Sequence, residues 1–179
     1  HFANTFFEQE LEQKQEYPLQ KYLTQPIPLQ LQFLPLLYRR PQEKVLLSAL
    51  PPQPYLDFLS SQGFSIKELE LIDTPSAFPF ELNLWGASRA ARTWATQHGG
   101  TVVLPDWDRV REIHSKIFSF AATPQLPHSR LLQTDDEAAE WISSFPEPKV
   151  LKKAFGVAGS GHIRIQDGLP SNLSYPLIG

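Results

Sequence analysis

The sequence predicts an α/β fold with a parallel sheet, followed by a smaller α+β part of different character. Three observations carry this expectation. From Lys44 onward, short apolar runs alternate with helical stripes over short connections, the pattern of strands and crossover helices in a parallel sheet. Ala87, Ala90, Ala91, Trp94 and Ala95 form an i, i+3, i+4, i+7, i+8 stripe, which is one face of a packed helix. Near the end, two strand-like runs flank a glycine-rich turn at 155–161. That arrangement is a hairpin and not a crossover.

The elements follow in order. Segment 1–43 is rich in Gln and broken by Pro18, Pro26, Pro28, Pro35 and Pro41. Its apolar residues Phe2, Phe6, Phe7, Leu11, Leu34, Leu36 and Leu37 suggest an arm of short elements packing on the core, with a poorly ordered tail as the alternative. Residues 45–50 read as a strand stopped by Pro51 and Pro52, and Tyr55, Phe58, Leu59 and Gln62 as a helix closed by Gly63. At 66–72, apolar residues alternate with Lys67, Glu68 and Glu70, which suggests an edge strand. A Pro- and aromatic-rich loop spans 74–85, the Ala stripe ends near Gly99, and 101–104 is a short β-branched strand.

Asp106 is placed to cap a helix carrying Val110, Ile113, Ile117 and Ala121 on one face. Residues 129–133 read as another strand. Thr134, Asp135, Asp136 and Glu137 form a capping box before a helix lined by Ala138, Trp141, Ile142 and Phe145. The hairpin strands are 149–154 and 161–165. The expected divisions are an arm at 1–43, an α/β domain at 44–123 and a partial subdomain at 124–179.

Composition narrows the function classes. The chain has 179 residues, 41% hydrophobic and 20% charged, with twelve Phe and four Trp, enough apolar content for a packed core. Its net charge of -3 supplies no electrostatic attraction for nucleic acid or an anionic membrane. No apolar run reaches the length of a membrane span, and no signal-peptide pattern opens the chain. Zero cysteine removes disulfides, thiolate metal sites and cysteine nucleophiles, which fits a cytoplasmic location. There is also no Met, so His1 reads as an edited start.

The hairpin carries the strongest chemical signal. Gly156, Gly159 and Gly161 fall within six residues and permit positive φ and close approach of backbone N–H groups to an anion. Lys149, Lys152, Lys153 and Arg164 flank the turn without an intervening acid, while acidic residues gather upstream between Asp135 and Glu147. An ordinary hairpin with a solvated basic face fits these features equally well.

Other motifs fail on inspection. Gly156 and Gly161 have P-loop spacing, but His162 and Ile163 replace the Lys and Ser/Thr that hold phosphate and magnesium. No glycine fingerprint follows the 45–50 strand, where Pro51 and Pro52 stand instead. Gly86, Ala87, Ser88 and Arg89 resemble a loosened nucleophile elbow, which raises a serine hydrolase as a remote reading. The second glycine and the oxyanion loop are missing, so Ser88 reads as part of the first turn of a packing helix. The five His show no metal-ligand spacing, and the carboxylate pairs Asp106/Asp108 and Asp135/Asp136 sit at helix starts, where the macrodipole accounts for them.

The order of parts over most of 44–179 resembles the front portion of ATP-grasp ligases. The residues carrying the resemblance are His114, Ser115 and Lys116 after the third α/β helix, Val150, Leu151 and Lys152 before the glycine-rich turn, the 131–141 strand and helix between them, and the turn at Leu84, Trp85 and Gly86. The resemblance implies a Rossmann-like pre-ATP-grasp domain followed by the start of the ATP-grasp small subdomain, whose hairpin folds over ATP phosphates. It implies nucleotide contacts from Lys116, Lys152, Lys153, Gly156, Gly159, Ser160, Gly161 and His162. Lys152 and Lys153 should face opposite sides of the strand, and position favours Lys152 for phosphate.

The activity implied is ATP-dependent ligation of a carboxylate to an amine through an acyl phosphate. ATP and Mg2+ are the expected cofactors, with the metal ligands in a part beyond Gly179. On this reading the chain is the N-terminal portion of such an enzyme and is inactive alone. The carboxylate and amine substrates are not legible, and association as a homodimer stays open. The alternative is a non-catalytic α/β module binding a nucleotide or a partner.

Overall fold

The computed structural model describes residues 1–22 (residue 22 by its backbone), 24–75, 79–156, 161–166 and 168–179. The chain is a mixture of helices, short parallel strand pairs and one antiparallel sheet. It divides into two compact units, His1–Pro105 and Asp106–Gly179. Among the described residues, no helix is long and apolar enough to cross a membrane.

The first unit opens with α1 (Phe7–Gln13), α2 (Leu19–Tyr22), α3 (Pro26–Leu31) and a 3-10 turn at Leu34–Leu37. A β–α–β segment follows: β1 (Val45–Leu47), α4 (Gln53–Ser61) and β2 (Leu69–Leu71), with β1 and β2 parallel. A second comprises β3 (Phe80–Glu81), α5 (Arg89–Gln97) and β4 (Gly100–Thr101), again with parallel strands. The stops read from sequence are present in this unit, since Gly63 and Gly99 take φ of 85° and 75° after their helices.

The strands are shorter than the sequence suggests. The run expected at 101–104 keeps only Thr101 in β4, and Val103 is 83% exposed, so β-branching alone did not secure a partner. Conversely, β3 lies within the stretch read as a loop. Two-residue strands carry no periodicity, so backbone pairing is their only signature.

The N-terminal segment is part of the core. Phe2, Phe6 and Tyr17 pack in one cluster with Leu46, Ile72, Leu82, Ala90, Ala91, Trp94 and Ala95. The His1 carbonyl accepts from Leu46 N at 2.9 Å, and Phe2 bridges Leu84 in parallel. Asn4 clamps Gly86 at two points, donating to its carbonyl at 2.7 Å and accepting from its N–H at 3.2 Å. A Cβ at residue 86 would stand only 2.4 Å from carbons of the Phe7 ring, so glycine is needed for the backbone to approach this closely.

Buried polar groups complete the first unit. Glu10 is fully buried; its Oε1 accepts from Tyr17 N at 2.8 Å and Ala90 N at 3.1 Å, and its Oε2 from Arg89 N at 3.1 Å. Ser88 Oγ accepts from Ala91 N at 3.0 Å. The first three N–H groups of α5 are therefore all satisfied by side chains, as a buried helix start requires. The Arg39 guanidinium donates to the carbonyls of Pro41, Glu43, Ser65 and Lys67, tying the chain before β1 to the chain before β2. Burial pulls its pKa down, opposed by Glu68 and Glu43.

The second unit contains α6 (Trp107–His114), α7 (Lys116–Ala122), β5 (Leu131–Leu132), α8 (Asp135–Ser143), β6 (Lys149–Lys153), β7 (His162–Ile165) and β8 (Leu177–Ile178). The single helix expected after Asp106 is two helices. Ser115, at φ -69° and ψ 133°, ends α6 and caps α7 by accepting from Ile117 N at 3.1 Å. The apolar stripe that suggested continuity is not a buried face, since Ile113 is 57% exposed. The sheet order is β5-β8-β6-β7, all antiparallel. The α8 residues Ala138 and Trp141 pack with Leu132, Leu151 and Leu177, and Ile163 and Ile165 join them.

The capping box is present in a slightly shifted form. Thr134 Oγ1 accepts from Glu137 N at 3.2 Å, while Glu137 Oε2 reaches back to Gln133 N at 2.5 Å. Three acidic residues in the first turn of α8 also suit its dipole.

Candidate nucleotide-phosphate face

The register of β6 assigns each lysine of the doublet to a side of the sheet. Leu151 pairs with Ile163, and Lys153 with Leu177, so Lys153 shares the α8 side with these core residues. Lys152 pairs with His162 on one flank and Ile178 on the other. Val150 pairs with Arg164. By the period-two alternation of strands, Lys152, His162 and Arg164 therefore share the face away from α8.

This face is basic and accessible. His162 and Arg164 are exposed and Lys152 is half-buried. Directly opposed side chains in such a ladder have Cβ atoms about 5 Å apart, which places Lys152 and His162 side by side. Among the described residues, no carboxylate forms an ion pair with Lys152, His162 or Arg164. A cation left without an internal counter-charge is available to an external anion.

Lys116 lies next to the exit of the same strand. It is the first residue of α7; its backbone N–H donates to Ala154 O at 2.8 Å and its Nζ donates to Gly156 O at 2.6 Å. Gly161 takes φ of 73°, and a Cβ there would stand 3.0 Å from Phe155 O, so the turn closes where only glycine fits without strain. Gly159 and Ser160, also expected at the site, lie outside the described residues. Of the expected residues that are described, Lys152 and His162 are adjacent on the outer face, Lys116 and Gly156 are bonded to each other, and Lys153 is on the α8 side.

Lys149 has a different task. Its Nζ donates to Phe145 O and Glu147 O and stands 4.1 Å from the Phe145 ring centroid. The buried ammonium thus closes the chain beyond the C-terminal end of α8, a favourable place for a cation. The sequence marks Arg164 as a flanking charge and not as a site residue; its spacing of two from His162 is the available signal.

A hollow of 570 Å³ lies in the same unit, lined by Arg111, Phe118, Ala154, Phe155 and Pro176 among others. The Arg111 guanidinium carbon is 4.6 Å from the Phe155 ring centroid, which supports the aromatic side chain just before Gly156. In the first unit, a hollow of 260 Å³ is bordered by Glu43, Lys44, Glu70 and Glu81. Much of its charge is internally matched, with Lys44 on Glu70 and His1 on Glu43. Hydrogen bonds from Arg40 N and His1 lower the Glu43 pKa, and the Glu70 hydrogen bond raises that of Lys44.

Two further sequence candidates are placed by the structure. Ser88 is fully buried and serves as the α5 cap. His114 is exposed on α6. Among the described residues, no three His, Asp or Glu side chains are grouped to hold a metal ion. No known protein family matches the chain, and no curated protein or solved structure is similar to it.

Proposed function

We propose that the chain is the N-terminal portion of an ATP-grasp type carboxylate–amine ligase, with nucleotide phosphates held on the outer face of the β6–β7 hairpin. The observation that carries this reading is the cross-strand pair Lys152 and His162, on the side of the sheet opposite α8 and beside a glycine turn. A compact ammonium and an adjacent imidazole suit phosphate oxygens. The two parallel β–α–β segments stand for the Rossmann-like pre-ATP-grasp domain, and the second unit for the beginning of the small ATP-grasp subdomain.

The donor set on this face fits a phosphate chain. Lys152 and His162 would hold it, while Lys116 becomes available once it releases the Gly156 carbonyl. ATP supplies the phosphoryl group that activates a carboxylate toward an amine. The work of these residues is to bind and orient that group and to reduce repulsion among its oxygens. Among the described residues, no three or more His, Asp or Glu side chains are grouped to hold a metal ion, and no step of this chain is assigned to Mg2+.

Titration of the chain with ATP tests the reading. Lys152→Ala should weaken binding about tenfold, the effect of losing one charge-assisted contact worth about 1.4 kcal/mol. Lys153→Ala should leave affinity within twofold of the parent. Unchanged affinity in both Lys116→Ala and Lys152→Ala would overturn the ligase reading in favour of a non-catalytic module.

A further inference from the structure

We propose that the outer edge of β7 receives an acidic extended peptide, which adds to the sheet as a fifth, antiparallel strand. The inference is independent of the phosphate reading, because it rests on the backbone of β7. In the sheet order β5-β8-β6-β7, β7 is terminal, and among the described residues β6 is the only strand paired with it. The opposite edge strand, β5, has two residues, whereas β7 runs over four, His162–Ile165.

The bonding pattern of the hairpin decides which backbone groups are left outward. Lys153 N–H donates to Gly161 O at 2.9 Å, which makes these two a hydrogen-bonded pair of the antiparallel ladder. Two residues further along the register, Leu151–Ile163 and then Lys149–Ile165 are the next such pairs. The N–H and C=O groups of Ile163 and Ile165 therefore face β6, and those of His162 and Arg164 face outward. Among the described residues, no other strand or loop backbone takes them. Donors and acceptors alternate along this edge. An anion answers the donors alone, whereas an extended backbone answers both.

The side chains define the chemistry of the partner. Residues opposed across an antiparallel pair share one face of the sheet. Residues set against His162 and Arg164 therefore lie on the outer face with them, and the residue between, beside Ile163, turns to the α8 side. His162 and Arg164 are exposed and Lys152 is half-buried, and no described carboxylate forms an ion pair with any of the three. Acidic residues at the opposed positions complement this face. An apolar residue between them extends the surface of Ile163, which packs with the α8 cluster. A second copy of the chain does not suit the edge. Two β7 strands paired about a twofold axis would set His162 against the partner's Arg164, bringing like charges together, and a basic strand is repelled in the same way.

The test titrates the full 179-residue chain with short capped peptides of alternating Glu and Val at constant ionic strength. The Glu–Val peptide should bind about tenfold more tightly than its Lys–Val counterpart. N-methylation of the Glu amides, which face β7, should lower affinity about tenfold. N-methylation of the Val amides, which face away, should leave affinity within about twofold. Amide exchange gives the position: the peptide should protect the His162 and Arg164 N–H groups and leave Ile163, already bonded to β6, unchanged. Arg164→Gln should weaken the Glu–Val peptide about fivefold without altering exchange at Ile163 in the free chain.

Equal binding of the two N-methylated peptides would reduce the interaction to charge on the outer face and overturn strand addition. Equal binding of the Glu–Val and Lys–Val peptides would overturn the acidic preference. Protection at His162 and Arg164 in the chain alone, rising with its concentration, would identify a second copy as the occupant and overturn the inference as well. No binding of the Glu–Val peptide at about 1 mM would end it outright.

Discussion

Lys116 Nζ donates to the Gly156 carbonyl at 2.6 Å. Its backbone N–H holds the Ala154 carbonyl at 2.8 Å, so one residue at the start of α7 grips the exit of β6 at two positions. The ammonium is already engaged by the protein. A phosphate oxygen that uses it must compete with a carbonyl, which gives Lys116 a positioning role whether or not a ligand is bound.

Lys116→Met keeps the backbone bond and most of the side-chain length while removing the Nζ donor. Stability should fall by about 1 kcal/mol, the usual net loss for one hydrogen bond. The more specific readout is amide exchange at Lys153, whose N–H donates to Gly161 O at 2.9 Å across the base of the turn. Exchange there should accelerate while amides of the α8 core, such as Trp141, keep their protection. Uniform acceleration across the second unit would mean that Lys116 acts on global stability and not on the turn.

Glu10 and Ser88 cap one helix from opposite ends of the first unit's sequence. Glu10→Gln should cost about 2–3 kcal/mol, because a charge-assisted acceptor is lost and an NH2 group is turned toward backbone donors. Ser88→Ala should cost about 1 kcal/mol through the missing N-cap. Both are read from denaturant midpoints. A Ser88→Ala protein with parental stability would contradict the capping role and reopen the question of what the buried hydroxyl does.

Local features of the fold were legible where the signal lies within a few residues. The capping box at Thr134, the glycine stops at 63 and 99, and the alternation that splits Lys152 from Lys153 all belong to this class. The strands at Phe80–Glu81 and Leu177–Ile178 were not legible, because two residues define no period. The break at Ser115 was hidden for another reason: the apolar spacing of Ile113 and Ile117 continues across it, while a single serine cap stops the helix. The Glu10 cap was beyond reach altogether, since Ala90 is its partner from 80 residues away.

The site was divided in the same way. Alternation along β6 and β7 made the basic face readable once the strands were paired, whereas the Lys116–Gly156 bond joins residues 40 apart. Only the folded chain discloses that Lys116 is committed to a carbonyl. That is why the sequence invites a phosphate role for Lys116 and the geometry adds a structural one.

Tyr175 links the tail of the second unit to the start of α8, donating its hydroxyl to Asp135 Oδ1 at 2.8 Å. Desolvation first, then the hydrogen bond and charge of Asp135, push the phenol up to about 12. A raised tyrosine pKa keeps the proton on the folded protein while the unfolded chain ionises near its ordinary value of about 10. The contribution is therefore complete below pH 10 and is lost as pH rises through about 12. Denaturant midpoints taken between pH 9 and pH 12 should decline less steeply in Tyr175→Phe than in the parent. Parallel slopes would contradict the coupling of this phenol to folding.

The Phe7 ring packs against Gly86 in the turn before α5. A methyl at residue 86 has no free space, since it would stand 2.4 Å from carbons of the Phe7 ring, and the backbone is held by Asn4 on both its donor and its acceptor. The strain has to be relieved by displacing Phe7. Gly86→Ala should therefore destabilise the chain by about 1–3 kcal/mol, the usual range for overpacking. Phe7→Leu in the Gly86→Ala background should recover part of that loss, whereas Phe7→Leu alone should destabilise by opening a gap in the core. Such opposite signs are a direct pairwise coupling. Additive losses in the double variant would show that Gly86 is required for its backbone conformation and not for the approach of the ring.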